Sequence, residues 1–126
     1  MTRYVDVYVL AVPKAKLEVY REFAKVAGKV WREHGALDYV EVAGDDVKPG
    51  VHTSFPQAVK LEPDEIVVVG WIAFASRAER DRINALVMQD PRMADCNPGN
   101  SPFDPQRMFW GGFNTLVETG EIAKEE

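Results

Sequence analysis

Cysteine is almost missing from this chain: Cys96 is the only one in 126 residues. An intrachain disulfide is therefore excluded, as is any metal site built from several cysteines of one chain. A reducing, cytoplasmic setting is the expectation that follows. Histidine is nearly as scarce, with only His34 and His52. His52 shares a loop with Asp45 and Asp46, but these residues have no recognised ligand spacing, so no metal and no cofactor is assigned. Basic residues are in deficit, 15 Lys and Arg against 20 Asp and Glu for a net charge of -5, and they form no dense block. Because affinity for a polyanion comes mainly from cations that neutralise phosphates, no nucleic-acid partner is expected. Runs near 20 apolar residues are also lacking, which excludes a membrane-spanning helix. The apolar stretch "YVDVYVLAV" is interrupted by Asp6 and lacks a small-residue cleavage site, so it reads as a strand and not as a secretion signal. Neither a phosphate-binding glycine loop, nor a nucleophile triad, nor an internal repeat is present.

The sequence does contain the material for one folded domain over residues 1–126, with 46% hydrophobic and 28% charged residues. Residues 4 to 12 are rich in Val and Tyr and predict a strand that Pro13 ends. From Lys14 to His34 the helical period gathers Leu17, Tyr20, Ala24, Ala27 and Trp31 on one side, with Val19, Phe23, Val26 and Val30 beside them. Gly35 supplies the stop. "ALDYVEVAG" alternates as a second strand. A long excursion follows, with a short helical turn around Pro56 to Leu61, and "EIVVVGWIAFA" makes a third strand. Ser76-Arg77-Ala78-Glu79 is a capping box opening a helix with Ile83, Leu86 and Val87 on its apolar side. "QRMFWGGFNTLVE" is the fourth strand.

Strand, helix, strand, strand, helix, strand is the order of an α+β ferredoxin-like fold, an antiparallel sheet with both helices on one face. The third strand is apolar on both sides, with Ile66, Val68, Ile72 and Phe74 on one and Val67, Val69, Trp71 and Ala73 on the other. A strand buried on both faces needs a second cover. The economical cover is another copy, so a homodimer with sheets packed face to face is expected. In the first strand Val5, Val7 and Val9 read as the helix-facing set, which assigns Tyr4, Asp6, Tyr8 and Leu10 to the dimer side.

"GKVWREHGALDYVE", "TSFPQAVKLEPDE", "SRAERDRINALVMQDPRM" and "PFDPQRMFWGGF" resemble the YbaA-like family of small bacterial proteins over nearly the whole chain. The resemblance implies a dimeric α/β-barrel fold and assigns no reaction, cofactor or catalytic residue. More distantly, the fold that it implies is similar to that of cofactor-independent monooxygenases.

Two functional readings follow from the residues. In one, a homodimer binds or transforms a small hydrophobic or aromatic molecule in a cavity lined by Tyr8, Trp71, Met108 and Trp110, with Asp6, His34 or Arg107 as polar handles. Such a mixture of apolar walls and few polar groups is typical of ligand sites. In the other, the same aromatics are the core of a non-catalytic interface. Asp104 and Arg107 stand three residues apart in "SPFDPQRMFWGGF", as either a loop-fixing ion pair or a clamp for an anionic group. Phe103, between two prolines, reads as an anchor plugged into the core. His34, in the last turn of the first helix, is either a cap or a general base. Cys96 reads as an incidental loop residue.

Overall fold

A computed structural model of the protein describes residues 3–93 and 101–120. Four strands, β1 (Tyr4–Pro13), β2 (Asp38–Ala43), β3 (Glu65–Phe74) and β4 (Phe109–Asn114), form one antiparallel sheet in the order β2-β3-β1-β4. Three helices, α1 (Leu17–His34), α2 (Phe55–Ala58) and α3 (Arg77–Gln89), complete the ferredoxin-like arrangement. Local chemistry marks the helix ends. The Gly35 backbone, at φ 121°, closes α1, and its N–H donates to the Arg32 carbonyl at 3.2 Å. The Ser76 hydroxyl accepts from the Glu79 amide at 3.1 Å and opens α3.

α1 and α3 pack on the same face of the sheet. Tyr20 and Val30 from α1 and Ile83 and Val87 from α3 share a core with Tyr8, Leu10 and Val12 of β1 and Val68, Ile72 and Phe74 of β3. Phe23 and Trp31 are half-buried against that core. α1 buries a narrower arc than its apolar period predicts, since Val19 and Val26 are 61% and 45% exposed. Leu86 of α3 is exposed in the same way.

The register corrects the assignment of faces. The even residues of β1 turn toward the helices, so Asp6 and Tyr8 lie inside the helix-covered layer and not on the dimer side. Val5, Val7 and Val9 lie on the other face, opposite Ala73, Trp71 and Val69. Hydrophobicity alone favoured the valines for the helix side. The space under the helices instead takes larger rings, and α3 supplies Arg80 and Asn84 to meet the aspartate.

β3 is apolar on both faces. On the helix-free face Val9, Ala11 and Val67 are covered by Val59 and Leu61, which follow α2. The rest of that face carries the exposed side chains of Val42, Trp71, Phe109 and Phe113. β4 is shorter than its apolar pattern, because Pro105–Arg107 forms a 3-10 turn capped by Asp104 before the strand begins. Among the described residues no helix is long and apolar enough to cross a membrane.

Candidate functional site

A cavity of about 430 Å³ lies between the sheet and the helices. Its floor is Asp6, Tyr8 and Leu10 of β1 with Ile72 of β3 and Tyr39 of β2. Tyr20, Phe23, Ala27 and Trp31 recur every three or four residues on α1 and so form one stripe of wall. Small Ala27 in that stripe leaves room that a larger side chain would fill. Asn84 and Met88 of α3 make the opposite wall, and Phe103, Met108 and Trp110 close one side. Phe103 is fixed there edge-on to Tyr20, with ring centroids 5.8 Å apart. Met88 and Trp110 are mostly exposed and mark where the cavity meets solvent.

One polar group interrupts this apolar lining and a second stands behind it. At one end Asp6 is only 4% exposed. Its Oδ2 accepts from the Asn84 amide at 3.2 Å, and Asn84 in turn accepts from the Trp31 indole N–H at 2.9 Å. Asp6 Oδ1 lies 3.7 Å from the Arg80 guanidinium, too far for a hydrogen bond, and has no other partner. Burial raises the Asp6 pKa, and the Asn84 hydrogen bond and the Arg80 charge offset this only in part. Arg80 is itself held by the Tyr4 hydroxyl at 3.0 Å and lies over the Tyr4 ring.

Behind Tyr20 and Tyr39, outside the cavity lining itself, a carboxylate is ringed by phenols. Glu41 accepts from Tyr20 on one oxygen and from Tyr39, at 2.6 Å, on the other. Tyr8 approaches the same pair across the sheet, since Tyr8 and Glu41 are both register partners of Gly70. Its ring occupies the space that a side chain at position 70 would need. The Tyr8 hydroxyl faces Glu41 and Tyr39 and interacts with both. Burial first, with the Glu41 charge added, pushes the pKa values of Tyr8 and Tyr20 far up. For Tyr39, burial leads and Tyr8 and Glu41 follow. All three phenols therefore remain protonated donors.

Asp6, Tyr8, Met108 and Trp110 are thus brought together in one cavity, but Trp71 is not. It lies on the helix-free face, 37% exposed, because its strand neighbour Ile72 takes the inward position. Arg107 and Asp104 also stand outside the lining. Arg107 donates to both Glu65 oxygens at 2.7 and 2.6 Å, to the Lys60 carbonyl at 2.9 Å and to Asp104 at 3.1 Å. Asp104 also accepts from the Gln106 amide at 3.0 Å. These bonds use four of the five guanidinium N–H donors and pin the 101–107 segment to the start of β3. His34 is remote from the cavity as well, with Nε2 3.0 Å from Asp90 at the end of α3. Arg92, more than His34, holds the Asp90 carboxyl well below the usual range. His52 is exposed, and among the described residues no three His, Cys, Asp or Glu side chains are grouped to hold a metal ion. Cys96 and the glycine-containing 94–100 stretch lie outside the described residues.

Tyr20, Trp31, Tyr39, Glu41 and Asn84 complete the site and were not singled out by sequence as its members. Tyr39-Val40-Glu41 offered a signal, since residues two apart on a strand share a face. Asn84, between Ile83 and Ala85 in α3, offered another as a polar residue beside the buried stripe.

Residues 3–105 match the family model described as "Protein of unknown function (DUF1428)". The "Uncharacterized protein YbaA" of Escherichia coli (strain K12) is 43% identical over 116 residues, which are 92% of this chain and 98% of that protein. The protein of the same description in Shigella flexneri shows the same identity and coverage. Among solved structures, a NIPSNAP family protein with unknown function from Agrobacterium tumefaciens superposes with a TM-score of 0.52 at 16% identity, covering 90% of this chain and 86% of that one. This likeness is one of fold alone.

Proposed function

The chain belongs to the DUF1428 family, and from that premise we propose that it works as one ferredoxin-like unit in a cytoplasmic homodimer, each copy binding a small hydrophobic or aromatic molecule between sheet and helices. The observation that carries the binding reading is the apolar cavity of about 430 Å³, whose lining includes the buried Asp6 carboxylate with one oxygen lacking a hydrogen bond. Cavities of this size, with apolar walls and few polar groups, suit small organic ligands. A buried polar atom left unpaired costs stability, so its persistence favours a partner that arrives from outside.

Pairing is supported by the helix-free face. Val42, Trp71, Phe109 and Phe113 lie on one side of a sheet whose facing neighbours are Val5, Val7 and Val40. Asp38, at the edge of β2, is paired with Arg3 at 3.2 Å. A second copy offers the same largely apolar surface and covers it symmetrically. Covering this face leaves the cavity, on the other side of the sheet, open.

Titration with naphthalene, followed through the indole N–H resonances, tests the site. Saturable shifts of Trp31, with Trp71 unmoved, are expected. Absence of any saturable shift would overturn the binding reading. Light scattering should give twice the 14.2 kDa of one chain, and a monomer mass at micromolar concentration would refute the pairing.

A further inference from the structure

Methionine is unevenly distributed in this chain. Of its four methionines, Met1 lies outside the described residues, and the other three, Met88, Met93 and Met108, all line the cavity of about 430 Å³. Leucine fills apolar space about as well and suits a helix no less, yet it enters that lining only as Leu10. Thioethers are thus gathered at one surface, where their unbranched, polarisable chains adapt to a guest. They bring a susceptibility that leucine lacks, since a thioether is open to oxidation.

The three side chains are not equally reachable. Met88 is 68% exposed, whereas Met93 and Met108 are half-buried and packed against the core. Met88 follows Asn84 by four residues on α3 and so stands one turn along the same wall. Its chain neighbour Val87 is fully buried. Met88 therefore belongs both to the rim of the cavity and to solvent. Because α3 packs on the helix-covered side of the sheet, pairing through the helix-free face leaves Met88 uncovered.

We propose that Met88 is a modification site, converted by hydroperoxides to its sulfoxide, and that this oxidation lowers the affinity of the cavity for its apolar ligand. The proposal rests on the binding reading above and adds its regulation. In the step, the Met88 sulfur attacks one peroxide oxygen. An S–O bond forms as the O–O bond breaks, and the proton of the attacked oxygen passes to the departing one. With hydrogen peroxide the products are the sulfoxide and water, so sulfur is oxidised, the peroxide is reduced, and atoms and charge balance. Access decides the order, which puts Met88 ahead of Met93 and Met108.

The sulfoxide oxygen is polar and hydrated. A ligand settling against it strips that water, and the lining returns little, because it is mostly apolar. Its Trp31 indole N–H and its Tyr20 and Tyr39 hydroxyls are already engaged by Asn84 and Glu41. Methionine sulfoxide reductases restore the thioether, so the loss of affinity is reversible.

Limited hydrogen peroxide treatment of the full chain carrying Cys96→Ser, which removes its one thiol, tests this. Peptide mass mapping locates the added oxygen, and naphthalene titration through the Trp31 indole resonance reads affinity before and after. The expected result is oxygen on Met88 ahead of Met93 and Met108, with naphthalene bound about tenfold more weakly. Methionine sulfoxide reductases of both epimer specificities, with dithiothreitol, should restore the affinity. In Met88→Leu the affinities before and after treatment should agree. Should that variant fail to fold, the reductases decide, since a loss that they do not reverse would refute the proposal. Oxygen on Met88 with unchanged affinity, oxidation of Met93 or Met108 ahead of it, or an equal loss in Met88→Leu would overturn the proposal and leave the binding reading intact. Untreated protein without a saturable naphthalene shift would overturn both.

Discussion

Replacing Gly70 by alanine puts a methyl group where Tyr8 already is. A Cβ at this position would lie 2.2 Å from Tyr8 Cζ and 2.4 Å from its Cε2 and hydroxyl oxygen, against the roughly 3.5–4.0 Å at which carbon atoms rest in contact. The ring cannot step aside cheaply, because it lies on the sheet under a packed core. Overpacking of this kind costs about 1–3 kcal/mol. Gly70 is not in the left-handed region, so alanine adds no backbone strain there, and reduced freedom of the unfolded chain returns about 0.4–1 kcal/mol. The net loss is about 1–2 kcal/mol. With Tyr8 first changed to alanine the clash disappears, and Gly70→Ala should instead stabilise by about 0.5 kcal/mol. The sign of the Gly70 substitution thus depends on residue 8, with a coupling of about 2 kcal/mol, within the range measured for touching residues. Urea unfolding of the four proteins gives the cycle directly. Equal effects of Gly70→Ala in both backgrounds would refute the close packing of Tyr8 on Gly70.

Other expectations concern charge and packing. The Asp6 pKa is raised on folding, so between its unfolded and folded values the folded state binds the extra proton and stability falls as pH rises. Asp6→Asn should therefore melt higher than the wild type at pH 7, with the difference shrinking below pH 4; a lower midpoint at pH 7 would contradict this. Glu65 has the opposite sign, its pKa lowered first by the Arg107 hydrogen bond. Its stabilisation is present above about pH 5 and is lost as acid protonates it, so Glu65→Gln should flatten the acid limb of the melting curve. Arg107→Met should cost about 3 kcal/mol in urea by leaving Glu65 buried without its cation, and a loss within error would show the pair to be idle. Phe103→Ala removes the ring packed on Tyr20 and Phe23 and should cost about 2 kcal/mol. Trp71→Glu should halve the mass seen by light scattering while leaving naphthalene binding in place.

Much of the fold was legible because its signals are local. Ser76 and Gly35 mark helix ends by their own hydrogen bonds, and β3 reads as a strand from its apolar run. The face of β1 was not legible in this way. Valine and tyrosine both suit strands, and only the register opposite Gly70 and Gly112 reveals which set has room beneath the helices. The site divided along the same line. Asp6, Tyr8, Met108 and Trp110, grouped by type and alternation, do line one cavity, though on the helix-covered face and not the dimer side that the sequence assigns to Asp6 and Tyr8, whereas Trp71 lies on the other face. Tyr20 meets Glu41, and Trp31 meets Asn84, only through tertiary packing between different elements. Arg107 and His34 resemble ligand handles in sequence, and partners distant along the chain, Glu65 and Asp90, occupy them instead.

β1 bears an unusual restriction on how this sequence can change over generations. Its ten residues are divided by parity, the even ones turned toward the helices and the odd ones toward the helix-free side, so each position answers to one surface only. Deleting a single residue within the strand would exchange the two sets downstream of the cut, sending the tyrosine outward and a valine in. No point substitution elsewhere restores both surfaces together. Gains and losses of residues should then be confined to segments such as 45–53, while residues 4–13 vary in identity and keep their number.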